Sequence, residues 1–461
     1  MPLRLPPDLM VSVSGIRGRV GDPLTPELVC GAAAAFGAFL LREGAEGPVV
    51  VGRDSRTSGP MLRAAAVAGF QSVGLDVVDV GIVPTPTVLM AVRHHGAAGG
   101  VAVTASHNPA EWNALKLVTA EGMFLDADAS LRFRTYLRDE DPPRAAWDAL
   151  GTLTRDDAAI DRHLDAILAL PVLDVEAVRS ARLSVALDCV RGAGGLIVPR
   201  LLEALGCEVA AIHTEADGRF PRDPEPTAAS LAELGELVRE SGAVVGLAVD
   251  PDVDRLSLVD ESGAAVGEDL TLALAADVVL RRRPGPVVTN LSTSRVVADV
   301  AAEHDVSLVR APVGEINVAR RMQAENAVVG GEGNGGVILP MLHHTRDAPV
   351  AVALILQHLV DVGSALSGAV GRWPSYSIVK RKVDFDRSAL EAAYRALAED
   401  LDADADDHTD GLRLAWHDRR AWLHVRPSGT EPVVRLIAEA PEMDAAQALV
   451  DRAADILDGV A

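Results

Sequence analysis

Four short stretches carry residue types that could do chemistry together. "TASHNP", Thr104 to Pro109, follows the apolar run "GVAV" and sets Ser106 beside His107. "VVGLAVDPDVDRLSLVDESG" runs an apolar strand, Val244 to Val249, into Asp250, Asp252 and Asp254, with Arg255 next. Three carboxylates at alternate positions of a tight turn can converge on one hard cation that prefers oxygen ligands, and magnesium is the natural occupant. Their mutual repulsion directly after a buried strand is unfavourable without such a counter-ion. "RPSGTEPVVR", Arg426 to Arg435, brings hydroxyls and flexible backbone from Ser428, Gly429 and Thr430. The guanidinium forks of Arg426 and Arg435 suit phosphate oxygens, so this stretch reads as a phosphate cradle. In "GGEGNGGVI", five glycines surround Glu332 and Asn334, which lets the backbone approach a ligand while the two side chains bind sugar hydroxyls.

A serine hydrolase would want a G-x-S-x-G elbow, which "TASHN" lacks, and acyl transfer leaves the acidic triplet unexplained. A metal, a phosphate cradle, a polyol-binding loop and an exposed serine together describe phosphoryl transfer through a phosphoserine. His107 then shapes the loop or touches phosphate rather than acting as a triad base. Lys116 is a candidate acid/base: it is one of only three lysines, with Lys380 and Lys382, and unlike arginine it can give up its proton. Arg17 in "SGIRG" is placed in the site with an orienting or proton-transfer role. The acidic run "DLDADADDHTDG" resembles the opening of a calcium loop, but it has Asp407 where glycine is needed and Arg413 where the closing glutamate belongs. It is expected to be a solvated loop. The pairs His94–His95 and His343–His344 offer no metal-binding spacing, and Arg346 with Asp347 in "TRDAP" is expected to fix its loop as a pair.

The elements that must position these residues repeat. "PVVVGRD", the helical "PMLRAAAVAGFQSVG" and "LDVVDVG" form a strand, loop, helix and strand. The same order returns at "LSVALDCVRGAGG" to "CEVAAIH", and again at "PVVTNLSTS" to "VSLVRAPVG". Such units require crossovers and predict a parallel-rich layered α/β architecture, with ligands at the carboxyl ends of the strands. The turn after the first strand of each unit is rich in Gly, Ser or Arg. The tail differs: strand-like "PSYSIVKRKVDF", "LRLAWHD" and "AWLHVRPSG" alternate with two helical stretches, predicting an α+β domain. Breaks near Gly151, Gly263 and Gly371 divide the chain into domains at 1–150, 151–260, 261–371 and 372–461.

Composition sets the outer bounds. The 461 residues, 49% hydrophobic and 24% charged, suit several globular cores. A formal charge of -23 repels a nucleic-acid backbone, so any anionic ligand must be met by local arginine clusters. Cys30, Cys189 and Cys207 lack C-x-x-C spacing, which implies neither a disulfide framework nor a zinc site and fits a reducing cytoplasm. The longest small-apolar run, Cys30 to Leu41, is too short to span a bilayer.

In motif order, "VSGIRG", "VGRDSRTSG", "GIVPTPT", "TASHNPAEWNALK", "ADGRFPRDPEP", "DPDVDR", "GGEGNGG" and "RPSGTEPVVR" make nearly the whole chain resemble the α-D-phosphohexomutases, the phosphoglucomutase, phosphomannomutase and phosphoglucosamine mutase group. The resemblance implies four domains around a central cleft, three of related α/β fold and a fourth like the TATA-box-binding protein. It implies interconversion of hexose 1- and 6-phosphates through a phosphoserine and a bound hexose 1,6-bisphosphate. Ser106 would be phosphorylated, and Asp250, Asp252, Asp254 and Ser106 would hold Mg2+ beside Arg255. Glu332, Asn334 and Gly314 would bind the sugar, and Arg426, Ser428, Gly429, Thr430 and Arg435 the non-reacting phosphate. Pro251, Ala114, Asn334 and Gly336 depart from common versions of these motifs, and the last two leave open whether glucose, mannose or glucosamine phosphate is preferred. The expected partner is a phosphorylated hexose, with no nucleic acid or membrane, and the chain a monomer or homodimer. A phosphoserine-dependent phosphatase and a non-catalytic phosphosugar-binding protein are the alternatives.

Overall fold

The alternation of β-branched runs with Ala- and Leu-rich helices builds three sheets on one plan. The computed structural model describes residues 3–13, 15–428 and 433–460. The first sheet holds β1 (Met10–Ser12), β2 (Gly15–Arg19), β3 (Val49–Arg53), β4 (Val77–Ile82), β5 (Gly99–Val103), β6 (Trp112–Thr119) and β7 (Leu153–Arg155), in the order β1-β2-β6-β5-β3-β4-β7. The second holds β8 (Ser184–Asp188), β9 (Glu208–Ile212), β10 (Val245–Val249) and β11 (Leu256–Asp260), in the order β11-β10-β8-β9. The third holds β12 (Val287–Asn290), β13 (Leu308–Ala311), β14 (Val329–Glu332) and β15 (Gly336–Ile338), in the order β13-β12-β14-β15. Each contains one four-strand unit: three parallel strands, then a fourth returning antiparallel to the third. Three related α/β domains followed by a distinct α+β domain are what the sequence implies. The first sheet runs past the break near Gly151, because β7 pairs in parallel with β4.

The fourth domain is an antiparallel sheet of β16 (Ser377–Asp384), β17 (Ala405–Asp407), β18 (Leu412–Trp416), β19 (Ala421–Pro427) and β20 (Val433–Ala440), ordered β16-β20-β19-β18-β17. Strand periodicity sorts its two faces. Leu412, Leu414, Leu423, Val425, Val434, Leu436 and Ala438 form the core under helices Leu390–Leu401 and Met443–Val460. The opposite face carries His424, Arg426, Arg435 and Ile437, and the register pairs Arg426 with Arg435 and His424 with Ile437. The run expected to be a solvated loop is partly ordered. Ala405–Asp407 forms the edge strand β17, and Asp404 accepts the His417 amide at 2.6 Å.

One core runs through the second and third domains. Helix Ala348–Val362 is apolar on nearly every side and buried along most of its length, as a helix inside a large core must be. The first domain has its own core, where four of the chain's seven phenylalanines meet: the Phe36 ring lies 5.3 Å from Phe133, with Phe39 and Phe70 each at 6.5 Å. No described helix is long and apolar enough to cross a membrane. Because Phe36 is fully buried among rings that cannot collapse inward, Phe36→Ala should cost the first domain about 3–5 kcal/mol. Limited proteolysis during a thermal ramp checks this: the first domain should become cleavable several degrees before the fourth.

Candidate active site

In each repeated unit the chemistry sits on the loop between the third and fourth strands. The β5–β6 loop carries Ser106, the β10–β11 loop carries Asp250 to Arg255, and the β14–β15 loop carries Gly333 and Asn334 just after Glu332 at the end of β14. The turns after the first strands, which the sequence marks as rich in Gly, Ser or Arg, serve as supports. The three loops and the fourth domain's sheet face a cleft of about 600 Å³ lined by Ser106, Lys116, Arg255, Glu332, Arg346 and Arg426, among others.

Ser106 Oγ donates to Asp250 Oδ2 at 2.9 Å, which joins the first two domains at the cleft. Its backbone is left-handed, with φ of 50°, an uncommon state for a non-glycine residue. Arg56, 1% exposed, holds the loop in that shape. Its guanidinium donates to the carbonyls of Ser106 and Asn108 at 2.6 Å, Pro109 at 2.7 Å and Trp112 at 2.9 Å. Asp54 pairs with Arg56 Nε at 3.0 Å and accepts from Thr104 Oγ1 at 2.6 Å, and that same hydroxyl accepts the Ser106 amide at 3.0 Å. His107 Nδ1 is 3.4 Å from Ser106 Oγ, and burial together with Arg255 and Arg17 pushes its pKa well down, so it stays neutral. Arg17 donates to Asn108 Oδ1 at 2.8 Å across the loop.

Asp250, Asp252 and Asp254 are buried, with carboxylate oxygens within 4.8 Å of one another. Burial and the two neighbouring aspartates drive the Asp250 carboxyl well above the usual range. Burial also opposes charge on Asp252, yet Lys116 and hydrogen bonds pull it below the usual range. Lys116 Nζ sits 2.6 Å from Asp252 Oδ2 and 3.5 Å from Asp254 Oδ2. Burial works against its charge, but the two aspartates outweigh it and raise its pKa. Thr85, in the "PTPT" segment, donates its hydroxyl to Asp252 at 2.6 Å and its amide to the Asp252 carbonyl at 2.9 Å. Asp252 Oδ1 and Asp254 Oδ1 are buried without a hydrogen-bond partner. Buried acceptors are normally satisfied, so two orphaned carboxylate oxygens in one turn fit a divalent cation.

Arg346 binds this turn to the end of β14. Its Nη2 donates to Asp254 Oδ2 at 2.7 Å and its Nη1 to Glu332 Oε2 at 2.8 Å, while Nε lies 3.3 Å from Glu315 Oε2. Burial opposes its charge, but Asp254, Glu315 and Glu332 hold its pKa well above the ordinary value. Arg346 and Asp347 therefore do not pair as the sequence suggests. Asp347 turns away, capping Val350 at 3.0 Å and accepting from His163 at 2.8 Å and His343 at 2.6 Å. That group could coordinate a metal, but its ring nitrogens are already taken: His163 Nδ1 meets Thr87 Oγ1 at 2.8 Å and His343 Nδ1 accepts the Thr345 amide at 3.3 Å. With Nδ1 of His343 accepting, Nε2 carries the proton and is no ligand.

Glu332 also accepts from Asn290 at 2.8 Å and from the Gly314 amide at 3.0 Å, whereas Asn334 Oδ1 accepts the Gly336 amide within its own loop. Arg255 pairs with Glu225 at 3.0 Å. Glu225 lies in the "ADGRFPRDPEP" stretch, whose Gly218 meets the Ser55 carbonyl so closely that a Cβ would lie 2.3 Å from it. Arg426 and Arg435 both line the cleft and Ser428 is buried nearby, while Gly429 and Thr430 lie outside the described residues. Sequence reasoning assigns no role to Arg56, Thr85, Glu315 or Asn290. "VGRDSRTSG" and "GIVPTPT" were the available signals for the first two.

Four family models match in chain order. They are phosphoglucomutase/phosphomannomutase alpha/beta/alpha domain I at residues 9–142, domain II at 161–263, domain III at 267–376 and the C-terminal domain at 378–456. A Thermococcus kodakarensis protein named phosphoglucomutase/phosphomannomutase is 39% identical over 449 residues, covering 96% of this chain and 97% of that one. A probable phosphoglucosamine mutase of Methanopyrus kandleri is 37% identical over 448 residues, covering 96% of each. A crystal structure of a phosphoglucomutase/phosphomannomutase family protein from Burkholderia thailandensis aligns with a TM-score of 0.84 at 28% identity, covering 98% of each chain.

Arg56→Lys keeps the charge beside Asp54 but cannot fork onto four carbonyls. The Ser106 loop should shift, and kcat should fall about tenfold or more while KM changes little, because Arg56 lies behind the loop. Steady-state kinetics with an unchanged kcat would rule out the brace.

Proposed function

The chain belongs to the phosphoglucomutase/phosphomannomutase family, and on that premise we propose that it moves phosphate between the 1- and 6-positions of a hexose through a phosphoserine on Ser106. It is a hexose-phosphate mutase and so an isomerase, in keeping with its relatives. The observation that carries the mechanism is the 2.9 Å contact between Ser106 Oγ and Asp250, inside a carboxylate cluster that faces a cleft large enough for a sugar phosphate.

Asp250, Asp252 and Asp254 would hold Mg2+, with Ser106 beside it. The cation supplies neutralisation of charge on the transferring phosphoryl group. In the first half-reaction a sugar hydroxyl attacks the seryl phosphorus. The bond from phosphorus to Ser106 Oγ breaks, a bond to the sugar oxygen forms, and the departing Ser106 oxygen takes up a proton in exchange for the one the sugar hydroxyl loses, so the proton count is unchanged. The bisphosphate then reorients in the cleft and returns its other phosphate to Ser106. Ser106 Oγ already donates to Asp250 Oδ2, so that carboxylate can take the seryl proton as the oxygen becomes nucleophilic. Lys116 is protonated in this arrangement, which suits it to give a proton, and Arg17 orients the loop through Asn108. Arg255 brings positive charge to the same mouth. Glu332, Asn334 and Gly314 would meet the sugar, while Arg426, Ser428 and Arg435, with Gly429 and Thr430, would hold the phosphate that is not reacting. The substrate is a glucose, mannose or glucosamine phosphate, with the corresponding 1,6-bisphosphate as activator, in the cytoplasm.

Ser106→Ala should lower isomerisation at least about a thousandfold. Binding of hexose phosphate, measured by calorimetry, should stay within about threefold, since the lost hydroxyl belongs to the chemistry. Wild-type turnover in that variant removes Ser106 from the mechanism. A stoichiometric release of inorganic phosphate without isomer, in the wild type, would make the protein a phosphatase. Treatment with EDTA should abolish isomerisation, and added Mg2+ should restore it; activity indifferent to chelation would refute the metal assignment.

A further inference from the structure

The acidic run of the fourth domain ends at Asp410, and this residue leaves its own loop. Its Oδ2 accepts the amide of Val313, in the third domain, at 3.0 Å. The same carboxylate faces Arg426, with Oδ1 accepting from Nη2 at 3.3 Å and Oδ2 lying 2.9 Å from Nε. The next amide along, Gly314, donates to Glu332 at 3.0 Å. Two consecutive backbone amides therefore join one carboxylate that steers a cleft arginine and another at the end of the sugar loop. The Asp410 backbone is fixed as well: its carbonyl lies 2.8 Å from His424 Nε2, whose Nδ1 is 2.8 Å from Ser292 Oγ in the third domain.

We infer that Asp410 is a positioning residue that sets the distance between the phosphate end and the sugar end of the substrate site, by holding Arg426 and the Val313–Gly314 backbone with one carboxylate. This rests on Arg426 belonging to the phosphate cradle. An acceptor for the Val313 amide alone could have been any carbonyl. A partner for Arg426 alone could have come from within its own sheet. One ionised group doing both, across a domain boundary, ties the placement of the anchored phosphate to the placement of the sugar hydroxyls. A hexose phosphate is rigid enough that both ends must be right together.

The test is a double-mutant cycle on the full-length enzyme. Asp410→Ala should raise KM for the hexose 1-phosphate about tenfold while kcat falls less than about threefold, as expected for a lost charge-assisted contact that acts on binding. In an Arg426→Ala background the same change should raise KM less than about threefold, because its target is gone. Asp410→Asn keeps an acceptor for Val313 but loses the charge facing Arg426, so it should give an intermediate KM, and it replaces Asp410→Ala in the cycle if that variant fails to fold. A full tenfold effect of the Asp410 change in the Arg426→Ala background, with Arg426→Ala itself raising KM, overturns the coupling and leaves the cradle standing. If Arg426→Ala leaves KM unchanged, the cradle reading fails and the inference falls with it. A kcat collapse at constant KM would likewise overturn the positioning role.

Discussion

Three carboxylates buried in one turn cannot all stay ionised unless positive charge is brought to them, and the rest of the molecule is arranged around that constraint. Lys116 comes from β6 of the first domain and Arg346 from the loop after β15 in the third, both ending on the aspartates of the second. Thr85 and Ser106 add hydroxyl donors from the first domain. The site thus exists only at a seam. No single domain contains enough of these groups to bury the aspartates alone, so the domain contacts and the chemistry are stabilised by the same interactions. The orphaned oxygens of Asp252 and Asp254 mark what remains unbalanced.

The seam is reached by using one four-strand unit three times. The hairpin connection between its last two strands arrives at the same end of each sheet, so Ser106, the aspartate turn and the glycine-rich loop after Glu332 converge when the three units face one cleft. Much of this was legible in the sequence. Ser106, the aspartates, Glu332 and Arg426 sit in contiguous motifs whose chemistry depends on neighbours a few residues away. Arg56, Glu315 and Arg346 were not readable in the same way. Arg56 acts on carbonyls some fifty residues on, and Arg346 reaches Asp254 across 92 positions, so their neighbours in sequence do not show what they hold. An arginine beside an aspartate in "TRDAP" looks like a pair, but strand β15 and the helix starting at Ala348 send the two side chains to different partners. The acidic run misled for a related reason: its alternating aspartates are largely a solvated edge, yet its last member crosses into another domain.

Two of the ten non-glycine residues with positive φ among the described residues lie in the loops that face the cleft. Ser106 and Val253 both adopt positive φ, 50° and 63°, without being glycine, and Val253 is β-branched and fully buried. Such conformations cost on the order of 1–3 kcal/mol each and persist only where surroundings over-determine them. Arg56 does this for Ser106. For Val253, its amide bonds back to the Asp250 carbonyl at 3.1 Å and its own carbonyl accepts the Ala348 amide at 3.2 Å. Asp250 Oδ1 then accepts the amides of Asp254 and Arg255 at 3.1 and 3.2 Å, which turns the aspartates toward one point. Pro251 stiffens the loop's entry, and the left-handed Val253 completes the turn.

A chain of charge -23 that binds an anion needs local cations, and four of those facing the cleft are held by carboxylates. Arg255 is paired with Glu225, Lys116 with Asp252, Arg346 with Asp254 and Glu332, and Arg426 with Asp410. Free cations would bind phosphate more tightly, but each would have to be buried alone at a cost of several kcal/mol, and tight ground-state binding does not speed the chemical step. Pre-paired cations give a different balance. A phosphate entering the cleft competes with fixed carboxylates for donors already aimed and already desolvated, so part of the Coulombic gain is offset by weakening the existing pairs. That moderates affinity while preserving geometry. It suits the proposed reaction, in which a doubly phosphorylated sugar would let go of one set of contacts, turn, and take up the same set with its other end.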